Sequence, residues 1–243
     1  QGRCGRIAPG ICYRLYSEQD FINRPPYTDA EIRRVNLASV VLQMYAYGLG
    51  DIAKFPFIDP PEPRAIKDAL LLLVELRALH GSKITPLGKV MARLPVDPRL
   101  AAMLVAAGPL GCLQEMLIIV AALAVQDVRE RPAEKVGAAD AAHEKFIDER
   151  SDFLSYLKLW SWIEEQRETL SNKAWQNQLR KNFVNPMRVR EWREIYRQLR
   201  TLSRQLNFSI NTKPGNYRQI HEAVVAGSLS QIAQHQERGR YQG

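Results

Sequence analysis

Three cysteines and four histidines are the only thiol and imidazole groups in the 243 residues. Cys4, Cys12 and Cys112 have no zinc spacing, and an odd number of thiols cannot all pair within one chain. The histidines are scattered. Neither a structural metal nor a disulfide framework is indicated, and the thiols read as reduced, as in a cytosol. Long hydrophobic runs are missing too. The apolar stretch at 117–125 falls far short of the ~20 residues a bilayer-spanning helix needs. Two arginines stand among the first six residues with no apolar segment behind them, so no secretory signal is visible. Carboxylates paired at a defined spacing are also wanting: Asp97 and Asp127 read as capping or loop residues. His143 and His221 read as surface or cap positions, and Cys112 as core.

What is present is ordinary globular composition, 46% hydrophobic and 25% charged, in a length that suits one large domain or two small ones. The formal charge is +8, and it is unevenly placed. Residues 173–204 hold nine Lys/Arg and two Glu, so this stretch alone carries 9 − 2 = +7. Such a block favours a polyanion, because each phosphate it neutralises releases counterions. The plain alternative is a solvated helix face on a basic protein.

Along the chain, residues 1–28 open in a Gly/Arg turn, pass a strand-like run at 11–16 and enter a proline-bearing linker at 23–26. Thr28 or Asp29 can cap a helix with Leu37, Val40, Val41 and Met44 on one face, ended by Gly48 and Gly50. A second helix is expected from Pro63 to about Leu79. A turn and short strand at 81–84 follow, then a helix started by Thr85 as N-cap with Pro86 behind it. Residues 94–98 read as a second extended piece. Helices followed by two extended pieces around a helix fit a winged helix; a plain bundle fits the same pattern. From 99 to 222 the period is helical. The stretch 111–126 is apolar nearly all round and reads as the central buried helix. Ser151-Asp152 caps another helix, a long one runs from about Pro186 to Leu206, and a short one lies near 217–225. The polar tail 231–243 has no periodicity.

The long helix from Pro186 carries Arg190, Arg193, Arg197, Arg200 and Arg204 at spacings of 3, 4, 3 and 4. At about 100° per residue they form one stripe, with Trp192, Ile195, Tyr196, Leu199, Leu202 and Leu206 on the other side. Unpaired like charges on one stripe repel, and a polyanion running along it would relieve that. Acids from elsewhere, such as Glu164 or Glu165, are the alternative partners. Arg188 projects to the apolar side, where a charge requires a partner or a ligand. Trp160, Trp162 and Trp175 could stack bases, but Trp160 sits at core spacing.

Gly2-Arg3-Cys4-Gly5-Arg6, continued by Gly10-Ile11-Cys12-Tyr13-Arg14-Leu15-Tyr16, resembles helicase motif VI and the strand after it in the DEAH-box RNA helicases. Further matches follow in order: Asn36-Leu37-Ala38-Ser39-Val40-Val41-Leu42, Phe57-Ile58-Asp59-Pro60-Pro61, Leu94-Pro95-Val96-Asp97-Pro98-Arg99 and Gly111-Cys112. Arg129-Glu130-Arg131-Pro132 and Arg188-Val189-Arg190-Glu191-Trp192 resemble the bacterial HrpA branch. Val128 departs from the branch, which has proline there, and Pro186 departs from an Asn-Tyr-Leu-Arg-like stretch.

The resemblance implies a mainly α fold: the end of the second RecA-like domain at 1–28, a winged-helix domain at 29–98, a ratchet-like helical domain at 99–225, and a tail at 226–243 leading to an oligonucleotide-binding (OB) fold. It implies a cytoplasmic parent enzyme that uses ATP and Mg²⁺ to move 3′ to 5′ on single-stranded RNA. Arg3 and Arg6 match the arginines that reach the ATP phosphates. RNA contacts fall to Asn185, Arg188 and the stripe. No G-x-x-x-x-G-K-[ST] loop and no D-E-A-H string occurs in the sequence, so this segment is expected to be catalytically silent and to bind neither ATP nor Mg²⁺ alone. The rival reading is a non-enzymatic winged-helix nucleic-acid binder.

Overall fold

The computed structural model describes residues 8–24, 36–236 and 241–242. The chain divides into two units, residues 1–35 and 36–243. In the first, helix α1 (Glu18–Asn23) starts at Ser17, whose hydroxyl accepts the Asp20 N–H at 3.1 Å. This helix buries none of its residues. Arg14 lies over the Phe21 ring at 3.9 Å and Arg24 over the Tyr16 ring at 4.1 Å, so cation–aromatic contacts do the work of a core. The strand that the run at 11–16 predicts does not form. Ile11, Tyr13 and Leu15 are exposed, and no described residue forms a ladder with them. An extended segment without a ladder gains nothing over hydrated coil. Arg3 and Arg6 lie outside the described residues, as do Pro25 and Pro26 of the linker.

The second unit begins with α2 (Leu37–Tyr47). Its N-cap is Asn36, whose side chain accepts the Ala38 N–H at 2.9 Å; the caps expected at Thr28 or Asp29 lie outside the described residues. Gly48 closes the helix at φ 68°, as its position predicts. Helix α3 (Pro63–Glu75) stops four residues earlier than expected. Arg77 takes a left-handed φ of 57°, which turns the chain into β1 (Leu79–His80), paired antiparallel with β2 (Lys83–Ile84). Thr85 then caps α4 (Pro86–Met91), accepting the Gly88 N–H at 2.9 Å. The second extended piece at 94–98 is a bend, not a strand. Asp97 ends it by capping α5 (Pro98–Leu110), accepting the Arg99 N–H at 2.8 Å and also the Asn36 amide.

Helix α6 (Leu113–Leu123) is the central element, with Leu113, Met116, Leu117, Ile119 and Val120 all at 1% exposure or less. Packed around it are α5, α8 (Asp152–Thr169), α10 (Pro186–Gln205) and α11 (Tyr217–Ala226). Helices α7 (Val136–His143) and α9 (Asn172–Lys181) sit outside this layer. Glu115 fixes the loop between α10 and α11 by accepting from Asn211 Nδ2 at 3.0 Å and from the Gly215 N–H at 3.1 Å. The tail, read as aperiodic, carries one short pair, β3 (Gln234–His235) with β4 (Tyr241–Gln242). His143, expected as a surface or cap position, stands at the end of α7 but is buried, with Nε2 3.2 Å from the Phe183 carbonyl.

Two glycines make a direct test of this packing. A Cβ at Gly227 would stand 2.2 Å from the Arg99 carbonyl oxygen and 2.7 Å from Met103 Cγ, whereas one at Gly108 in α5 meets nothing within 4 Å. Gly227→Ala is expected to destabilise the chain by about 1–3 kcal/mol through forced separation of α11 from α5. Gly108→Ala is expected to stabilise it by about 0.5–1 kcal/mol through helix propensity. Thermal unfolding of the two variants checks both signs; equal shifts would contradict the packing at Gly227.

Candidate nucleic-acid interface

The interface is built on α10, whose start is over-determined. Asn185 is its N-cap: Oδ1 accepts the N–H groups of Met187 and Arg188 at 2.9 and 3.2 Å, and Nδ2 donates to Glu130 Oε1 at 2.7 Å. Pro186 is the first helical residue, where it needs no N–H donor. The loop at 127–130 runs beside 183–185 as a brace. Asn185 N donates to the Val128 carbonyl at 2.8 Å, Glu130 N to the Phe183 carbonyl at 2.8 Å, and Arg129 bridges Val184. Val128 is buried at this contact, so the departure from proline leaves the loop pinned. Arg188 does project toward the apolar side, and its Nη1 donates to the Asp127 carbonyl at 2.8 Å. That satisfies a half-buried guanidinium with a structural partner.

The stripe emerges as drawn from the spacing, but its members are not equivalent. Arg190, Arg197, Arg200 and Arg204 are exposed. Arg193 is only 14% exposed and pairs bidentately with Glu164, at 2.7 and 3.1 Å. The acid expected as an alternative partner therefore takes one arginine of five. Arg197 lies 3.7 Å from Glu194, one helical turn away. Arg190, Arg200 and Arg204 have no ion pair among the described residues. Behind the stripe Val189, Trp192 and Leu199 are fully buried.

Beside Arg190, Arg193 and Arg197 opens a cleft of about 620 Å³ between the last turn of α8, the first turn of α9 and α10. Arg167 and Trp175 line it as well. The Arg167 guanidinium lies 5.3 Å from the Trp175 ring centre and that of Arg193 lies 6.0 Å from it. Trp175 is buried and donates its indole N–H to the Ile163 carbonyl at 3.2 Å. Trp160 is buried against Trp192 and Tyr196, with ring centres 5.0 and 4.7 Å away. Sequence reasoning missed Arg167 as a site residue, since only the packing of α8 on α9 brings it to the stripe.

Other titratable groups tune stability rather than chemistry. Burial, with help from the charges of Glu115 and Glu222, pushes the Cys112 thiol up to about 11, so it is no thiolate at neutral pH. Among the described residues no group of three or more His, Cys, Asp or Glu side chains could hold a metal ion. Burial pushes the Asp127 carboxyl up, but the side-chain and backbone hydrogen bonds from Arg129 and its charge outweigh that, leaving it below its ordinary value of 3.8. A carboxylate held low contributes stability that is present above about pH 4 and is lost as pH falls through the depressed value. Asp127→Asn is therefore expected to be less stable at neutral pH and to lose less of its stability on acidification to about pH 3. Urea unfolding at the two pH values checks this. The Asp140 and Asp148 carboxyls are likewise held below their ordinary value, by hydrogen bonds from Arg131 and Lys158.

Comparison with known proteins places this architecture. Residues 69–96 match the family model of the winged-helix helicase associated domain (HA2), and residues 97–185 that of the ratchet-like HA2 domain. The chain is 50% identical over 238 residues to the ATP-dependent RNA helicase HrpA of Escherichia coli (strain K12), covering 96% of this chain and 18% of that protein. It is 50% identical over 240 residues to the HrpA homolog of Haemophilus influenzae, with the same coverage of 96% and 18%. It is also 34% identical over 250 residues to the pre-mRNA-splicing factor ATP-dependent RNA helicase DEAH10 of Arabidopsis thaliana, covering 99% of this chain and 35% of that one. The chain thus spans about a fifth of the length of the HrpA proteins it matches. The mainly α chain accordingly carries a winged-helix and a ratchet-like helicase associated domain (HA2), and over nearly its whole length it is similar to a segment of the HrpA-type ATP-dependent RNA helicases.

Proposed function

We propose that this segment closes the RNA channel of a cytoplasmic, ATP-dependent helicase that translocates 3′ to 5′ on single-stranded RNA and unwinds it. The observation that carries the reading is the row of open guanidiniums on α10, a helix whose other face is locked into the bundle. Arg190, Arg197, Arg200 and Arg204 are assigned to backbone phosphates, as planar guanidiniums match phosphate oxygens bidentately. Arg193 stands among them but is paired with Glu164. Asn185 and Arg188 serve the same contact by fixing where the helix begins. The partners are single-stranded RNA, the parent's RecA-like lobes and its OB fold. ATP and Mg²⁺ belong to those lobes, with Arg3 and Arg6 reaching the ATP phosphates from this chain. No helix among the described residues is long and apolar enough to cross a membrane.

The rival, a duplex-reading winged helix, needs a basic recognition helix in the winged-helix part. Helix α3 carries only Arg64 and Lys67, and its exposed face includes Leu71 and Val74. Binding of the chain to labelled single-stranded RNA and to duplex DNA across a salt series separates the two. Preference for the single strand is expected, with a log–log salt slope that shrinks by about 0.7 for each of Arg190, Arg200 and Arg204 replaced by Ala. Preference for the duplex would transfer the assignment to the winged-helix reading. The pure chain is also expected to show no ATP turnover with or without RNA, and RNA-stimulated phosphate release would overturn that.

A further inference from the structure

The cleft between α8, α9 and α10 differs in kind from the rest of the stripe. Four guanidiniums and one carboxylate, Glu194, line it. Arg193 is held by Glu164 and by the Trp175 ring, so it forms wall rather than ligand. Arg167 is exposed yet set in place over the same ring, and no ion pair is formed by Arg167 or Arg190 among the described residues. Arg197 shares Glu194 only at 3.7 Å. Three positive groups from two helices thus converge with one weakly engaged acid between them. A guanidinium stacked on an aromatic face is pre-organised, so less rotamer freedom is lost when a phosphate arrives. The volume lies within the range of ligand-sized clefts. Trp175 is only 5% exposed, so its ring offers no platform to a base.

We propose that a single strand bound along α10 passes its phosphodiester backbone into this cleft, where Arg167, Arg190 and Arg197 hold neighbouring phosphates while the bases stay outside. This rests on the RNA reading above and adds to it a site off the stripe, indifferent to base identity, with Glu194 as its negative gate. A strand on the outer row alone would not sense Arg167, which belongs to another helix.

The test is binding of the 243-residue chain to labelled oligo-U and oligo-A across a salt series, with Arg167→Ala, Arg167→Lys, Glu194→Gln and the double variant Arg200→Ala/Arg204→Ala. Arg167→Ala is expected to weaken both RNAs alike, by about threefold to tenfold, and to lower the salt slope by about 0.7. Arg167→Lys should restore the slope but only part of the affinity, and Glu194→Gln should tighten binding severalfold. If Arg200→Ala/Arg204→Ala weakens binding while Arg167→Ala and Glu194→Gln leave affinity and slope unchanged, the cleft is no strand site and the α10 reading survives. If Arg167→Ala loses helical circular dichroism, Glu194→Gln decides alone, since it disturbs neither the stack nor the core. A chain that binds no RNA in any form would remove the RNA reading and this proposal together. Tripolyphosphate binding that depends on Arg167 would then mark the cleft as a site for free polyphosphate instead.

Discussion

The indole of Trp192 is fully buried, donates its N–H to the Ile118 carbonyl at 2.9 Å and meets the edge of Trp160 at 5.0 Å. This contact sets the rotation of α10. A helix advances about 100° per residue, so turning it by one residue would carry a side chain this large out of the core. Loss of such a buried tryptophan costs about 3–5 kcal/mol, more than the repulsion among the arginines can counter. Like-charge pairs one turn apart on a helix are unfavourable by only about 0.2–0.5 kcal/mol each. Packing therefore wins, and the arginine row faces outward because the other face has no alternative.

The row is then divided by what lies next to it. Towards α8 a carboxylate is in reach, and Arg193 takes it. The two ends of the row, Arg190 and Arg200 with Arg204, have none. A uniformly neutralised helix would be an ordinary solvated surface, and a uniformly open one would carry the full repulsion in the absence of a ligand. The observed state keeps the middle anchored and leaves charge at both ends, so a polyanion would meet fixed geometry as well as attraction. Guanidinium–aromatic stacking at Trp175 extends that fixed geometry to a second helix.

Much of this was readable in the residues because it is local. Thr85, Asp97 and Ser151 are caps in the structure as in the sequence, Pro186 begins α10, and the stripe follows from spacing alone. What escaped depends on partners distant in sequence. Residues 11–16 have strand composition, but composition cannot supply a ladder. Helix α3 is shorter than its leucine spacing, which continues to Leu79, predicts, because the left-handed Arg77 that ends it leaves no mark in a sequence. Arg188 was legible as a charge in need of a partner. Its partner is a backbone carbonyl 61 residues earlier, which no residue type encodes. Arg167 escaped for the same reason.

One guanidinium also ties together the winged-helix and ratchet-like parts of the second unit. Arg99, near the start of α5, donates to the Gly227 carbonyl and to Ser230 Oγ, each at 3.2 Å, and lies 3.7 Å from Glu75 at the end of α3. Glu75 in turn accepts the Ser230 N–H at 3.1 Å. The turn after α11 comes this near because Gly227 has no Cβ to strike the Arg99 carbonyl. The end of α3, the start of α5 and the end of α11 therefore meet at a single polar knot. From there α5 packs on α6 and α6 on α10, with no flexible loop in the path. Close-packed interiors transmit strain rather than absorb it. A load on the arginines of α10 would act on one packed body that reaches as far as α3, as the channel-wall role proposed for this segment requires.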